Sequence, residues 1–208
     1  MLDNYIQLLD GRIKQLNIEP FKYDYSYSDI YNSDEYKFNS KLISYLRYGY
    51  VVGSIGKIPD SIVDVGYGNG EFLNVCKNTV SHCCGYDISD YPVPDGVTRV
   101  NSILDNKFDV ITFFDSLEHF EDISFVKDLK CNYVCISVPW CHYFSDDWFE
   151  NWKHRKPNEH IWHFNISTLT NFMLHCGFSL VSYSNIEDII RKTISTDPNI
   201  LTAIFRKV

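Results

Sequence analysis

The stretch SIVDVGYGNG, residues 61–70, narrows most sharply what this chain can fold into. A short apolar run carrying one acid, Asp64, gives way to Gly66, Gly68 and Gly70, and the next residues, EFLNVCKNT, are apolar at helical spacing. A buried strand that ends in a side-chain-free bend and leads straight into a helix belongs to an α/β sheet. Such a bend lets a ligand lie against bare backbone and its N–H groups.

The rest of the chain repeats that alternation. HCCGYDI and FDVITFF predict a second and a fourth strand, with VTRVN a weak third between them. NYVCISV predicts a fifth, and FSLVSYS with LTAIFRKV a closing pair. FEDISFVKDL and STLTNFMLHCG predict helices, the latter ended by Gly177 at a C-terminal cap position. Near-continuous apolar strands alternating with helices indicate a sheet covered on both faces. Only about ten residues separate the second strand from the third and the third from the fourth, fewer than the dozen or so a parallel crossover takes. Those connections are expected to be trimmed, leaving that flank of the sheet thin. A partner subunit could cover it, so a homodimer stays open.

N-terminal to the glycines, Leu2, Tyr5, Ile6, Leu9, Ile13 and Leu16 fall at helical spacing and predict a helix over residues 2–16. Phe38, Leu42, Ile43, Tyr45 and Leu46 predict a second helix, and the tyrosine-rich FKYDYSYSDIY between them has no clean period. The expected organisation is a helical and tyrosine-rich extension over residues 1–58, packing on or covering the site, and one α/β domain over 59–208.

Composition excludes several classes. A chain of 208 residues, 45% hydrophobic, suffices for a sizeable core. The net charge of −8 is a poor match to a phosphate backbone and disfavours nucleic acid as a partner. The densest basic group, WKHRKP with Lys153, Arg155 and Lys156, reads as a solvated loop. No apolar run approaches the roughly 18 residues of a membrane span, and the opening MLDNYIQLLD lacks the basic segment of a signal peptide. Seven scattered cysteines with no C-x-x-C pair read as reduced thiols, so a cytoplasmic location is expected.

The dinucleotide fingerprint G-x-G-x-x-G would require glycine at position 71, where Glu71 stands; the pattern here is D-x-G-x-G-x-G. In this form VDVGYGNG resembles motif I of the class I S-adenosylmethionine (SAM)-dependent methyltransferases, of the small-molecule type. Asp87 in CCGYDIS resembles the family's acid after the second strand, and FDVITFFDSLEHFED its fourth strand and the segment beyond. CISVPW resembles the fifth strand, and EHIWHFNISTLTNFMLHCGF the helix before the terminal strand pair, so that the likeness runs over about residues 60–206.

The resemblance implies a three-layer Rossmann-like α/β fold. Its mostly parallel seven-stranded sheet would have the order 3-2-1-4-5-7-6, strand 7 antiparallel, with SAM across the ends of strands 1 and 2. It implies that Gly66, Gly68 and Gly70 face the methionine and ribose part of the cofactor, Asp87 the ribose hydroxyls and Ile88 the adenine. Asn101 would meet the adenine amino group, and Asp115 would border the methionine end and the acceptor. Asp64 would act either by direct contact or through hydrogen bonds that set the loop.

A sulfonium is already electrophilic, so such an enzyme mainly aligns the acceptor with the methyl group and excludes water. An alcohol, phenol, ammonium or carbon-acid acceptor also needs a base near neutral pH, which suits histidine. His119 in DSLEHF, just beyond the fourth strand, is the first candidate; its alternative role is to cap or pack the next helix. Glu118 beside it is expected to face away into structure. Residues 139–164, PWCHYFSDDWFENWKHRKPNEHIWHF, add His142, His160 and His163 among Trp148, Trp152 and Trp162. That composition suits an acceptor lid and equally suits hydrogen-bonded packing. His160 and His163 would share a face if their turn were helical. Cys141 and the histidines show no paired metal-ligand spacing, so no metal is expected. The leading reading is methyl transfer from SAM to O, N or C of a small molecule. A non-catalytic SAM- or nucleotide-binding module and a nicotinamide-dependent Rossmann oxidoreductase are the alternatives.

Overall fold

A computed structural model describes residues 3–20, 33–89, 91–191 and 196–208. The tyrosine-rich segment, residues 21–31, and Leu2 lie outside the described residues.

The first departure from expectation is at the N-terminus. Over residues 3–16 the expected helix does not form: β1 (Tyr5–Gln7) and β2 (Ile13–Gln15) pair antiparallel as a hairpin. Asp10–Gly11 turns the chain, with Gly11 at φ +87°, its N–H donating to the Leu8 carbonyl and the Asp10 carboxylate accepting from Arg12. An Asp-Gly pair is a strong hairpin signal, and its left-handed backbone is costly inside a helix. The apolar residues then sort by a period of two: Tyr5 and Ile13 are buried, while Ile6 and Leu16 face out and Leu9 stands at the exposed tip. Against β2 lies β8 (Trp162–His163), completing a three-stranded sheet.

The second helix forms as expected, as α1 (Asp34–Ile55). Ser33 caps it by accepting from the Tyr36 N–H, two acids occupy its first turn, and Gly56 at φ +72° ends it. Beyond it runs a seven-stranded sheet in the order β5-β4-β3-β6-β7-β10-β9. Its strands are β3 (Ser61–Val65), β4 (His82–Tyr86), β5 (Thr98–Arg99), β6 (Phe108–Phe114), β7 (Cys131–Pro139), β9 (Phe178–Ser184) and β10 (Ile200–Lys207). The first five are parallel, and β10 runs antiparallel to both of its neighbours. Renumbered within the sheet, this is the expected order 3-2-1-4-5-7-6 with its seventh strand reversed.

Alternate residues of each strand supply two cores. Ile62, Val110, Cys135 and Ile204 face one side, packing with Val51 of α1 and with Phe72 and Cys76 of α2 (Glu71–Cys76). Val63, Ile111, Phe113, Ile136, Ala203 and Phe205 face the other, against Leu169, Phe172 and Met173 of α4 (Ile166–His175). The capping box of Asn165 and Thr168 starts α4. A short α3 (Asp146–Asn151), capped by Ser145, lies in the segment between β7 and β8.

The links flanking β5 carry no helix among the described residues, as their length requires. The helix expected over FEDISFVKDL is only a 3₁₀ turn at Ser124–Asp128, started by the Asp122 carboxylate, which accepts from the Ser124 N–H and hydroxyl. The seven cysteines are free thiols, six of them buried. Among the described residues no helix is long and apolar enough to cross a membrane.

Candidate active site

The chain runs from β3 outward through β4 to β5 and then returns to β6 on the other side of β3. Such a reversal leaves a crevice beyond the carboxyl ends of the strands, where open α/β sheets bind ligands. A cavity of about 680 Å³ occupies that place, a size suited to a nucleoside-sized ligand with part of a second molecule.

Its floor is the glycine bend. Gly66, at φ +77°, hydrogen-bonds the Tyr86 carbonyl through its N–H. A Cβ at Gly66 would stand 2.7 Å from the Ser116 Cβ, so a side chain there is excluded twice, by conformation and by space. Gly68, at φ +51°, differs: a Cβ there would meet no atom within 4 Å. Its bare backbone faces the cavity, and a methyl group would fill part of the floor. Gly70, at φ +73°, does not line the cavity; it turns the chain into α2 with no room for a Cβ against Pro94.

Opposite the floor stands Asp87, just past the end of β4. Its carboxylate accepts from the Gly68 N–H at 3.0 Å and the Ser89 N–H at 2.8 Å. Two backbone donors fix the group while each oxygen keeps a lone pair for a ligand hydroxyl. Ile88 beside it is 79% exposed at the cavity mouth, an apolar side chain without cover, suited to the face of a planar base.

Asp64 is buried beneath the bend and does not line the cavity. Its Oδ1 accepts from the Thr112 hydroxyl at 2.6 Å, across the β3–β6 register. Burial, with smaller contributions from Asp87 and Asp115, pushes its carboxyl up to about 7. Asn101, on the trimmed connection after β5, is exposed and lies outside the cavity lining.

The far wall follows β6. Asp115, at φ +53°, lines the cavity with its carboxylate held by Arg47 (2.6 Å) and by both terminal nitrogens of Arg191 (3.0 and 2.5 Å). Burial alone would raise its pKa, but the Arg191 and Arg47 guanidinium groups outweigh that and hold it well below the usual carboxylate range. Glu187 completes the network, accepting from Arg47 (2.8 Å) and the Ser137 hydroxyl (2.5 Å). Nothing in the spacing of Arg47, Glu187 and Arg191 marks them as partners of Asp115, since they meet only across layers.

After Asp115, a 3₁₀ turn at Leu117–His119 carries Glu118 and His119. Of the four candidate histidines only His119 lines the cavity. Its Nδ1 lies 2.8 Å from the Glu159 carbonyl oxygen. A carbonyl only accepts, so Nδ1 carries the hydrogen and Nε2 the lone pair. Burial lowers the His119 pKa, partly offset by Glu159, and the ring is neutral near pH 7.

His160 stands behind it, edge to face, with ring centroids 4.9 Å apart. His142 and His163 are elsewhere. His142 stacks between Trp140 and Phe144 and bonds the Pro198 carbonyl, while His163 is buried on β8 against Tyr5, Phe149 and Trp152. His160 and His163 do not share a face, because the segment is extended into β8 rather than helical. Glu118 does face inward, as expected, yet it lies beside His119 rather than away from it.

The methyltransferase domain family profile matches residues 31–183. Among solved structures, the 1,6-didemethyltoxoflavin-N1-methyltransferase of Burkholderia thailandensis, holding its substrate and S-adenosylhomocysteine, superposes with a TM-score of 0.60 at 12% identity, over 99% of each chain. The magnesium protoporphyrin IX methyltransferase of Synechocystis PCC 6803, with S-adenosylhomocysteine, gives 0.58 at 14% identity over 91% of this chain and 90% of that one. An S-adenosylmethionine-dependent methyltransferase of Clostridium acetobutylicum gives 0.56 at 10% identity over 88% and 98%. No curated protein sequence matches the chain.

Proposed function

The chain belongs to the methyltransferase domain family, and from that premise we propose that it transfers a methyl group from SAM to a small-molecule acceptor. The observation that carries this is the pairing of a bare Gly68 backbone with a backbone-held Asp87 carboxylate across one cavity. Those two features fit a ligand with an adjacent pair of hydroxyls and little room beneath them. Asp87 takes the ribose hydroxyls, Gly66 and Gly68 pass beneath the amino-acid tail, and Ile88 covers the adenine. When bound, the cofactor supplies an electrophilic methyl group on sulfur.

This chain's residues do the rest by placement and by excluding water. The remaining space faces Phe120, Ile161 and the neutral Nε2 of His119, and it accommodates the acceptor. Ile18, Glu19 and Pro20 close the wall from the N-terminal side, which supports reading residues 1–58 as an extension that covers the site. The Burkholderia and Synechocystis enzymes are named for small-molecule acceptors, in keeping with this assignment. An acidic chain with free thiols fits a cytosolic enzyme acting on a metabolite rather than on nucleic acid.

Titration calorimetry tests the reading. The wild-type chain is expected to bind S-adenosylhomocysteine at one site and to give no heat with NADH. Asp87→Ala is expected to weaken binding about 100-fold, the loss of two hydrogen bonds to a charged acceptor. No heat from folded wild-type protein with SAM or its demethylated product would overturn the assignment.

A further inference from the structure

Behind the acceptor end of the cavity, two imidazole lone pairs and a buried carboxyl converge. His119 Nε2 bears a lone pair, as argued above. His160 repeats the arrangement, its Nδ1 lying 2.7 Å from the His154 carbonyl oxygen, so its Nε2 also bears a lone pair. Between them stands Glu118, 1% exposed; among the described residues neither of its oxygens accepts a hydrogen bond from another residue. Its Oε1 is 3.9 Å from His119 Nε2, and one ligand atom from each of the three residues falls within a 4.8 Å set.

A buried carboxyl with no hydrogen-bond partner, set against two imidazole lone pairs, is costly in either protonation state. Burial and the nearby Asp115 favour a proton on Glu118, yet that proton finds no partner among the described residues, since 3.9 Å to His119 Nε2 exceeds hydrogen-bond distance. Ligand bonds of about 2.0–2.2 Å around one ion put neighbouring donors roughly 3.0–3.5 Å apart, so side-chain rotations closing the set by about an ångström would seat a cation. Both rings are already fixed in the required orientation by backbone carbonyls, as metal-bound histidines usually are. The main chain also holds the cluster together, the Ile161 N–H donating to the Glu118 carbonyl and the Glu159 carbonyl taking His119.

We propose that Glu118, His119 and His160 bind a divalent first-row transition ion, such as Mn²⁺ or Zn²⁺, whose open coordination position faces the acceptor end of the cavity. Two imidazoles and one carboxylate favour such ions over Ca²⁺, which prefers all-oxygen sets. His119 is the ligand that reaches the cavity, its side chain 19% exposed, and Glu118 and His160 support the ion from behind.

Resting on the methyl-transfer reading, this defines the acceptor as a hydroxyl compound. Its oxygen takes the open position and loses its proton to water, because a bound cation lowers the hydroxyl pKa. An oxygen lone pair then forms the new O–CH3 bond while the pair of the S–CH3 bond returns to sulfur. With the ion present His119 acts as its ligand, and removal of the acceptor proton no longer depends on the imidazole.

The test is titration of chelator-stripped wild-type protein with MnCl₂ and ZnCl₂, with CaCl₂ as control, alongside Glu118→Gln and His160→Gln. S-adenosylhomocysteine binding and circular dichroism report folding of each variant. One ion per chain, with affinity reduced about 100-fold in a variant that still binds S-adenosylhomocysteine, is the expected result. Absence of binding to wild type, equal affinity for Ca²⁺, or binding that a folded Glu118→Gln leaves unchanged would overturn the site. Ion binding without any S-adenosylhomocysteine binding would keep the site and remove the methyl-transfer reading.

Discussion

Asp64 shows how burial shifts the charge of a residue beneath a cavity it does not line. Its carboxyl, buried under the glycine bend and bonded to Thr112, titrates at about 7 instead of 3.8, chiefly because burial disfavours the charge. A folded-state pKa above the unfolded one stabilises the fold fully below about pH 4, and that contribution is lost as pH rises towards 7. The difference in unfolding free energy between wild type and Asp64→Asn is therefore expected to change across this window, approaching about 1.4 kcal/mol per pH unit. Wild type loses stability relative to the variant as pH rises. Asp115 has the opposite sign: held low by its arginines, its contribution is present above about pH 4 and lost below it, so the two act in separate windows. Urea melts at pH 4.5, 6 and 8 check this, and parallel profiles for the two proteins would contradict it.

At the scale of elements, the turn between β3 and α2 separates two roles for glycine. Gly66→Ala places a Cβ on Ser116 and is expected to destabilise the fold by roughly 2–3 kcal/mol, combining left-handed strain with overpacking. Gly68→Ala costs about 1 kcal/mol of strain alone, but its methyl stands on the cavity floor and is expected to weaken S-adenosylhomocysteine binding at least tenfold. Thermal melts and calorimetry on the two variants separate these effects; equal affinity in Gly68→Ala and wild type would place the ligand elsewhere. The hairpin at the N-terminus teaches a related lesson. Apolar spacing alone favours a helix over residues 2–16, whereas Asp10–Gly11 carries the decisive local preference. Only β8, arriving from far along the chain, gives β2 a second partner.

For the molecule as a whole, the buried charges act as a tie between layers. Arg47 comes from α1, Glu187 from the 3₁₀ turn between β9 and β10, Ser137 from β7, and Asp115 from the end of β6. Glu187→Gln keeps the shape and removes one charge, leaving the buried Arg47 short of compensation. The expected loss is about 3 kcal/mol of global stability, read from the urea midpoint, and a loss below about 1 kcal/mol would show that Asp115 alone balances both arginines.

Local pattern determined the strand-bend-helix unit and the trimmed links beside β5, because alternation, glycine spacing and chain length act over a few residues at a time. The motifs it produced carried the resemblance to the family, and the strand order followed from that resemblance. That Gly66, Gly68, Asp87, Ile88, Asp115 and His119 line one cavity was legible through the same motifs, since each directly ends or follows a strand and strand ends meet at one edge of a sheet. Tertiary structure alone decided that His160 joins His119 while His142 and His163 do not, and that Glu118 turns inward beside them. It alone paired Asp115 with two arginines from opposite ends of the chain. Those outcomes depend on which segments pack together, and burial then sets the charge state of every group so enclosed.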